Sequence, residues 1–177
     1  MATLLVDTRE QKWEHVKAGF DRLDVTYAKS KLYVGDYAWA DRQNVVVDRK
    51  QNMEEVYNNL IAQHNRFRAE CQRAQEANVH LIVLVEQSGI ATLKDVHTWQ
   101  NPREEKWRML HSAHERGKLL YRDIPTRPPV PSDRIQNIMQ SMTDKYGVEW
   151  RFCNKEDTAV CILSLLKEDA DHVSLRL

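Results

Sequence analysis

The chain has 177 residues, of which 42% are hydrophobic and 29% are charged, a composition typical of one globular domain with a single core. Its 26 basic and 26 acidic residues balance, which argues against a protein that binds nucleic acid through bulk positive charge alone. The longest apolar run, at 79–85, is too short to cross a bilayer, and the first residues lack the features of a secretory signal. The three cysteines have no paired spacing, which fits a reducing compartment. We therefore expect one cytoplasmic domain over residues 1–177, without a membrane partner.

The first half of the chain predicts four strands and two helices. Residues 3–7 are an apolar run that ends in Asp7 and predict a buried strand, and residues 11–23 carry apolar side chains at helical spacing. Strands are predicted at 25–33 and 37–40, on either side of Gly35-Asp36, and at 45–47, where three valines precede Asp48-Arg49-Lys50. The periodic pattern over 51–77, with His64 on its apolar stripe, predicts one long helix.

The second half begins with a predicted buried strand at 79–85, which ends at Glu86. Prolines interrupt the pattern after it, and we interpret residues 90–131 as an insertion on the core that contains short helices. A helix capped by Ser132 or Asp133, a strand at 148–152 and a helix at 158–167 complete the domain. This order of elements predicts an α/β domain with a mixed central sheet and helices on both of its faces.

Charged residues follow three of the predicted strands, and burying them is costly unless they meet a partner or a metal ion. If the strands are neighbours, Asp36 and Asp48 converge as the hard oxygen ligands that Mg²⁺ or Mn²⁺ prefers. Because side chains alternate along a strand, Asp48 and Lys50 share one face. A metal there would polarise a phosphate and lower the pKa of a bound water. Lys50 would then orient that water, help to deprotonate it or stabilise the charge that builds on the phosphate.

Three blocks resemble the signature of the XPF-type structure-specific nuclease family, which belongs to the restriction-endonuclease-like (PD-(D/E)xK) superfamily. They are Val6-Asp7-x-Arg9-Glu10, Val34-Gly35-Asp36-Tyr37 and Val47-Asp48-Arg49-Lys50. The resemblance continues into Arg66-Phe67, Val85-Glu86, the Gly147-Val-Glu-Trp150 segment and Thr158-Ala159, so it covers nearly the whole chain outside residues 90–131. Three ordered blocks at workable spacing are more specific than a single Asp-x-Lys.

This resemblance implies a restriction-endonuclease-like fold and a Mg²⁺- or Mn²⁺-dependent endonuclease that cuts branched or flapped DNA. It implies that Asp36 and Asp48 are metal ligands and that Lys50 is the catalytic lysine. Asp7 and Glu10 would be further acids of the site, holding a second metal or its waters. Arg49 would brace the site or contact DNA. The family usually has glutamate at the position of Asp48, so this chain shortens one ligand by a methylene group and keeps its charge.

Other positions are assigned more loosely. Glu54 stands where the family usually has aspartate, and we expect it to support the site, as would Glu86, for which simple solvation is an equal alternative. Tyr37 is expected to pack beside the site rather than to stack on a base. His111 and His114 lack further ligands at zinc spacing, so a zinc site is not expected. DNA contacts are expected from basic side chains, for which a solvated surface is the alternative: Arg9, Arg66, Arg103, Lys106 and Arg108.

The sequence leaves partners and activity partly open. The resemblance implies a possible homodimer formed through the C-terminal helices, and nothing in the sequence resembles a helix-hairpin-helix module. The compact form is similar to versions carried by phages and prophages, which suggests the cytoplasm of a bacterial or phage-infected cell. Two alternatives remain: a non-catalytic DNA-binding or scaffolding subunit of a nuclease pair, and another nuclease of the superfamily, such as an exonuclease. Metal-dependent cleavage separates the first alternative from the main hypothesis, and the cleavage pattern separates the second.

Overall fold

The structure, a computed structural model, describes residues 2–173, apart from the side chains of Tyr121 and of residues 168–173. Within these residues six strands form one sheet, and six segments are α-helical. The strands are β1 (Leu4–Asp7), β2 (Tyr27–Ser30), β3 (Tyr37–Trp39), β4 (Arg42–Lys50), β5 (His80–Glu86) and β6 (Glu149–Cys153). The helices are α1 (Glu14–Arg22), α2 (Met53–Ile61), α3 (His64–Glu76), α4 (Pro102–Glu115), α5 (Ser132–Tyr146) and α6 (Thr158–Val173).

The sheet is mixed, with the strand order β2-β1-β3-β4-β5-β6. Strands β1 and β2 are parallel to each other, and β4, β5 and β6 are likewise parallel. Strand β3 is antiparallel to both of its neighbours, β1 and β4. The beginning of β3 therefore lies beside the ends of β1 and β4, so that the residues flanking these three points meet at one edge of the sheet. The predicted α/β fold with a mixed sheet is confirmed.

Hydrophobic clusters lie on both faces of the sheet. On one face, Val83 and Val85 of β5 pack with side chains of α2, α3 and α5. On the other, Ile82 and Leu84 of the same strand pack with side chains of α1 and α6. Because successive residues of β5 alternate between two buried faces, its sequence is a nearly unbroken apolar run. No helix within residues 2–173 is long and apolar enough to span a membrane.

The predicted single helix over 51–77 is wrong, because the structure has two helices there, α2 and α3. The side chain of Asn52 caps α2 by accepting a hydrogen bond from the backbone N–H of Glu55. At the end of α2 the N–H groups of Ala62 and Gln63 both donate to the carbonyl of Asn58, which closes the helix. His64 begins α3 half-buried and bonds to the carbonyl of Leu60 instead of filling a core position.

Residues 90–131 divide into a part that packs on the core and a part that does not. Ile90 and Val96 are buried in the cluster with α5, and a short 3₁₀ helix spans Leu93–Thr98. Asn101 caps α4, and none of the residues of α4 is buried. Whether this segment is an insertion relative to other proteins stays a prediction.

Gly35, directly before Asp36, has a positive φ of 67° and no room for a side chain. An added Cβ would lie 2.3 Å from Val46 Cγ1 and 3.2 Å from the Val47 carbonyl oxygen. We expect Gly35→Ala to lower the free energy of unfolding by about 3–5 kcal/mol through backbone strain and overpacking combined, measured by urea denaturation. The matched control is Gly147→Ala, at φ 70° with nothing within 4 Å of the added Cβ, which should cost only about 1–2 kcal/mol. Equal losses for the two variants would contradict the steric argument.

Candidate active site

Three chain segments meet at the edge of the sheet where β1 and β4 end and β3 begins. The backbone N–H of Asp7 donates to the carbonyl of Asp36 at 2.8 Å, and the N–H of Asp36 donates to the carbonyl of Val47 at 2.9 Å. The carboxylate of Asp36 in turn accepts the N–H of Arg49 at 2.9 Å. The structure therefore brings together the segments that the sequence predicted to converge. Beside them lies a cleft of about 250 Å³ whose charged lining residues are Arg9, Glu10, Asp36, Asp48, Arg49, Lys50, Glu55, Arg66, Glu70 and Arg73.

Asp36, Asp48 and Lys50 form the floor of the cleft. Asp48 is only 3% exposed, and its Oδ2 lies 2.7 Å from the ammonium of Lys50. Burial raises the pKa of Asp36 well above its usual value, and the charges of Asp48 and Glu10 raise it further. Burial would lower the pKa of Lys50, but the neighbouring Asp48 and Asp36 outweigh it and hold that pKa above its ordinary value. Lys50 is therefore a cation at neutral pH, suited to donating hydrogen bonds and not to accepting a proton.

Sequence reasoning missed two acids that line this cleft, Glu70 on α3 and Glu55 on α2. Oε1 of Glu70 accepts the N–H of Gly35 at 3.2 Å, and burial followed by the charge of Asp48 raises the pKa of Glu70. The sequence did contain a feature that could have indicated Glu70. Glu70 directly precedes Cys71, which belongs to the apolar stripe of α3, so its side chain lies at the border of the buried face. The predicted supporting acid Glu54 is instead exposed and does not line the cleft, while its neighbour Glu55 does.

Asp7 is completely buried and is bound by its own loop instead of facing the cleft. Its Oδ1 accepts the backbone N–H and the Nε–H of Arg9, both at 2.7 Å. Its Oδ2 accepts the N–H of Leu32 at 2.7 Å and Nη2 of Arg9 at 3.0 Å. Burial would raise the pKa of Asp7, but these hydrogen bonds outweigh it and leave the pKa below its usual value. Its contacts are those of a loop anchor, and its assignment as a metal ligand stays a prediction.

Arg49 is 3% exposed and its guanidinium is fully engaged. Nε donates to Glu10 at 2.8 Å, with a further bond from Nη2 to the same oxygen, and Nη1 donates to Glu86 at 3.1 Å. Oε1 of Glu86 also contacts His15 Nε2 at 2.6 Å and accepts the hydroxyl of Thr158 at 3.0 Å. Burial raises the pKa of Glu10 even though Arg49 opposes this. Arg49 and Glu86 thus brace the edge of the sheet, and the support that Glu86 gives to the site stays a prediction.

The remaining predicted residues lie in different environments. Tyr37 is fully buried and packs edge-on against Phe20, with centroids 6.0 Å apart, and among residues 2–173 its hydroxyl has no hydrogen-bond partner. Arg103 packs α4 against α2, because Nη2 donates to Asn58 at 2.8 Å and the guanidinium lies 4.9 Å from the ring centroid of Tyr57. The other three basic residues predicted to contact DNA are exposed. Arg66 lines the cleft, and Lys106 and Arg108 lie on α4.

The histidines of α4 are engaged in local contacts. Nδ1 of His111 lies 3.0 Å from the carbonyl of Trp107, and the two rings stack with centroids 3.8 Å apart. Nδ1 of His114 lies 2.8 Å from the carbonyl of Leu119. These bonds fit structural histidines.

The floor of the cleft suits a small, hard divalent cation. Four carboxylates, those of Glu10, Asp36, Asp48 and Glu70, line this part of the cleft, and Oδ2 of Asp48 accepts no well-aligned hydrogen bond within the described part of the chain. Across residues 2–173 no three His, Cys, Asp or Glu side chains are placed as a complete ligand cluster. Mg²⁺ commonly binds through one or two carboxylates and keeps several waters. Asp36 and Asp48 therefore fit such an ion with water completing its coordination.

Comparisons with known proteins agree with this geometry. The ERCC4 domain family matches the chain over residues 6–165. XPF from Aeropyrum pernix in complex with DNA is a similar solved structure, with a TM-score of 0.59 and 17% identity over 97% of this chain and 66% of that chain. A second structure of XPF from Aeropyrum pernix has a TM-score of 0.58 and 18% identity over 97% of this chain and 69% of that chain. This chain thus spans about two thirds of their length, and a likeness at this identity shows a shared fold. No curated protein sequence matches the chain.

Asp36 and Asp7 lie at the same edge but should respond oppositely to replacement by asparagine. The pKa of Asp36 is raised on folding, so its ionisation opposes folding, and this loss of stability develops as pH rises through the folded-state pKa. The pKa of Asp7 is lowered, so its ionisation favours folding above the unfolded-state pKa, and this stability is lost as pH falls through the folded-state pKa.

For protein in EDTA at pH 8, we therefore expect Asp36→Asn to melt above wild type, with a difference that shrinks toward pH 5. Asp7→Asn should lower the free energy of unfolding at pH 8 by about 3 kcal/mol, because it breaks a buried, charge-assisted network. Thermal unfolding followed by circular dichroism across this pH range checks both expectations. If the melting temperatures of both variants shift in the same direction at pH 8, the two aspartates do not differ as argued. Asp36 would then not be destabilised by its neighbours, or Asp7 would not anchor its loop.

Proposed function

This chain belongs to the ERCC4-domain family, whose XPF-type nucleases its sequence blocks resemble, and on that premise we propose that it is a metal-dependent DNA endonuclease. It hydrolyses phosphodiester bonds with Mg²⁺ or Mn²⁺, acts by preference on branched or flapped DNA, and works in the cytoplasm of a bacterial or phage-infected cell. The observation that carries the proposal is the meeting of Asp36, Asp48 and Lys50 at the floor of one cleft.

The cleft residues divide the chemical work. Asp36 and Asp48 would hold the divalent cation, which when bound supplies Lewis acidity toward the scissile phosphate and toward a coordinated water. Lys50, charged and 2.7 Å from Asp48, donates hydrogen bonds to the attacking water or to a phosphate oxygen as negative charge accumulates there. Arg49 is bound to Glu10 and Glu86, so it holds the end of β4 in place and does not contact substrate.

DNA would be held by cations at the rim of the cleft. Arg9 is exposed over 57% of its side chain while anchored to Asp7, and Arg66 and Arg73 line the cleft from α3. Phosphate contacts of this kind fix the register of DNA without reading its sequence. Lys106 and Arg108 extend the basic surface along α4, which Arg103 holds against α2.

The active enzyme would be a homodimer formed through the C-terminal helices. Val160 of α6 is an apolar side chain with 51% exposure, on a helix whose other face packs in the core through Ile162 and Leu166. We expect sedimentation velocity to detect a dimer whose dissociation constant rises for Val160→Lys. A monomer at all concentrations would refute the dimer and leave the nuclease proposal untouched.

We expect the wild type with Mn²⁺ to cut labelled fork and 3′-flap DNA, and Asp48→Asn to cut at least about a hundredfold more slowly. Asp36→Asn and Lys50→Ala should behave in the same way, because each removes a group from the floor of the cleft. The matched control is Glu76→Gln, which neutralises an exposed acid on α3 outside the cleft and should cut at the wild-type rate. If all proteins bind these DNAs in a salt-dependent manner and none cuts, the chain is a non-catalytic DNA-binding subunit. Cutting only from DNA ends would instead indicate an exonuclease.

Glu70→Gln separates the charge of this side chain from its hydrogen bond. Glutamine retains the oxygen that accepts the N–H of Gly35 and removes one negative charge from the cleft. We expect Mn²⁺ to bind several-fold more weakly, as measured by calorimetry on the DNA-free protein, while the melting temperature in EDTA does not fall. Glu76→Gln again serves as the control. Unchanged Mn²⁺ affinity for Glu70→Gln would show that Glu70 serves only to hold the Gly35 loop.

A further inference from the structure

The loop of residues 31–36, at the rim of the cleft, is held in place by hydrogen bonds at both of its ends. The N–H of Leu32 donates to Asp7 at 2.7 Å, and the carbonyl of Leu32 accepts Nη2 of Arg9 at 3.3 Å. Near the other end, the N–H of Gly35 donates to Glu70 at 3.2 Å. Leu32 and Val34 are 4% and 2% exposed, so the side chains on either side of position 33 are fixed in the core.

Tyr33 points out of this anchored loop with 64% of its surface exposed. Within the described part of the chain its ring packs on no other aromatic ring, and its hydroxyl makes no hydrogen bond to protein. A single exposed apolar residue is ordinary on a protein surface, but a ring presented by a fixed loop is less so. Its Cα lies at most about 7 Å from that of Gly35, because two residues of chain span no more than that. Since Gly35 lines the cleft, the backbone that carries the ring lies at the rim of the cleft.

The loop that carries Tyr33 also binds an exposed cation. The guanidinium of Arg9 binds the carbonyl of Leu32, the residue before Tyr33, and its side chain remains 57% exposed. An exposed ring and an exposed guanidinium on one loop match the two parts of one nucleotide, a flat base and a charged phosphate.

We propose that Tyr33 is a stacking platform for an unpaired base next to the scissile phosphate, with Arg9 binding a phosphate of the same strand. The inference rests on the proposed nuclease function and deepens it, because it names the feature of DNA that the site recognises. In a duplex both faces of each base are covered by neighbouring bases, so only an unpaired nucleotide can offer a face to the ring. Stacking of this kind tolerates any base, which suits recognition of DNA structure without recognition of sequence.

The test measures binding and stacking in a protein that cannot cut. In an Asp48→Asn background, wild-type Tyr33 is compared with Tyr33→Phe, Tyr33→Leu and Tyr33→Ala. The probes are a fork with 2-aminopurine at the first unpaired position and a fully paired duplex of the same length. The matched control is Leu23→Ala, which truncates another exposed apolar side chain, 43% exposed, at the end of α1. Leu23 precedes β2, whose first residue pairs with the first residue of β1, so it lies at the edge of the sheet opposite the cleft.

We expect Tyr33→Ala to weaken fork binding about tenfold and to abolish quenching of 2-aminopurine, with duplex binding unchanged. Tyr33→Phe should keep both properties, Tyr33→Leu should lose the quenching, and Leu23→Ala should match the background protein. Fork and duplex affinity falling together for Tyr33→Ala, or an unchanged fork affinity, would overturn the stacking proposal. If the wild-type protein cuts DNA and Tyr33→Ala does not change its preference for forks, only the role of Tyr33 fails. If the wild-type protein neither binds nor cuts any of these DNAs, the nuclease function itself fails.

Discussion

The buried guanidinium of Arg49 is the interaction on which the shape of the cleft depends. It bonds to Glu10, in the loop after β1, and to Glu86 at the end of β5. It therefore connects the ends of β1, β4 and β5 through side chains, in addition to the backbone hydrogen bonds of the sheet. A buried charge is costly unless its partners satisfy it, and here five hydrogen bonds from one side chain are shared among two carboxylates and two backbone carbonyls. Because side chains alternate along β4, fixing Arg49 on one face also fixes Asp48 and Lys50 on the other.

Chemically identical side chains take different roles at this edge because their partners differ. Asp7 receives hydrogen bonds from Arg9 and Leu32 on both oxygens, so its charge stabilises the fold. Asp36 receives one hydrogen bond from Arg49 and lies near other carboxylates, so its charge opposes folding. Two aspartates that are hydrogen-bonded to each other through their backbones therefore have opposite effects on stability, and the packing around Asp36 offsets the cost of its charge.

The sequence was sufficient for the fold class and for the order of the segments that form the edge. Apolar runs ending in charge located β1, β4 and β5, and the signature blocks indicated which of these ends share a site. The sequence was not sufficient where a helix boundary or the role of a side chain depends on residues that are distant in the chain. Ala62 and Gln63 carry no glycine or proline signal, so nothing local marked the break between α2 and α3. Glu70 was missed because its role depends on the N–H of Gly35, a contact between residues 35 positions apart. The anchoring of Asp7 depends on Leu32, a contact between residues 25 positions apart.

Helix α4 differs from the other helices of the domain, which bury residues in the hydrophobic clusters. None of its residues is buried, and Arg103 links it to α2 through a bond to Asn58 and a contact with the ring of Tyr57. Most substitutions on such a surface change the free energy of unfolding very little. Over evolutionary time α4 can therefore accumulate new charges and contacts while the carboxylates and the lysine of the cleft stay in place. If the cleft carries the proposed reaction, the domain would keep its chemistry in one region and could change its surface contacts in another.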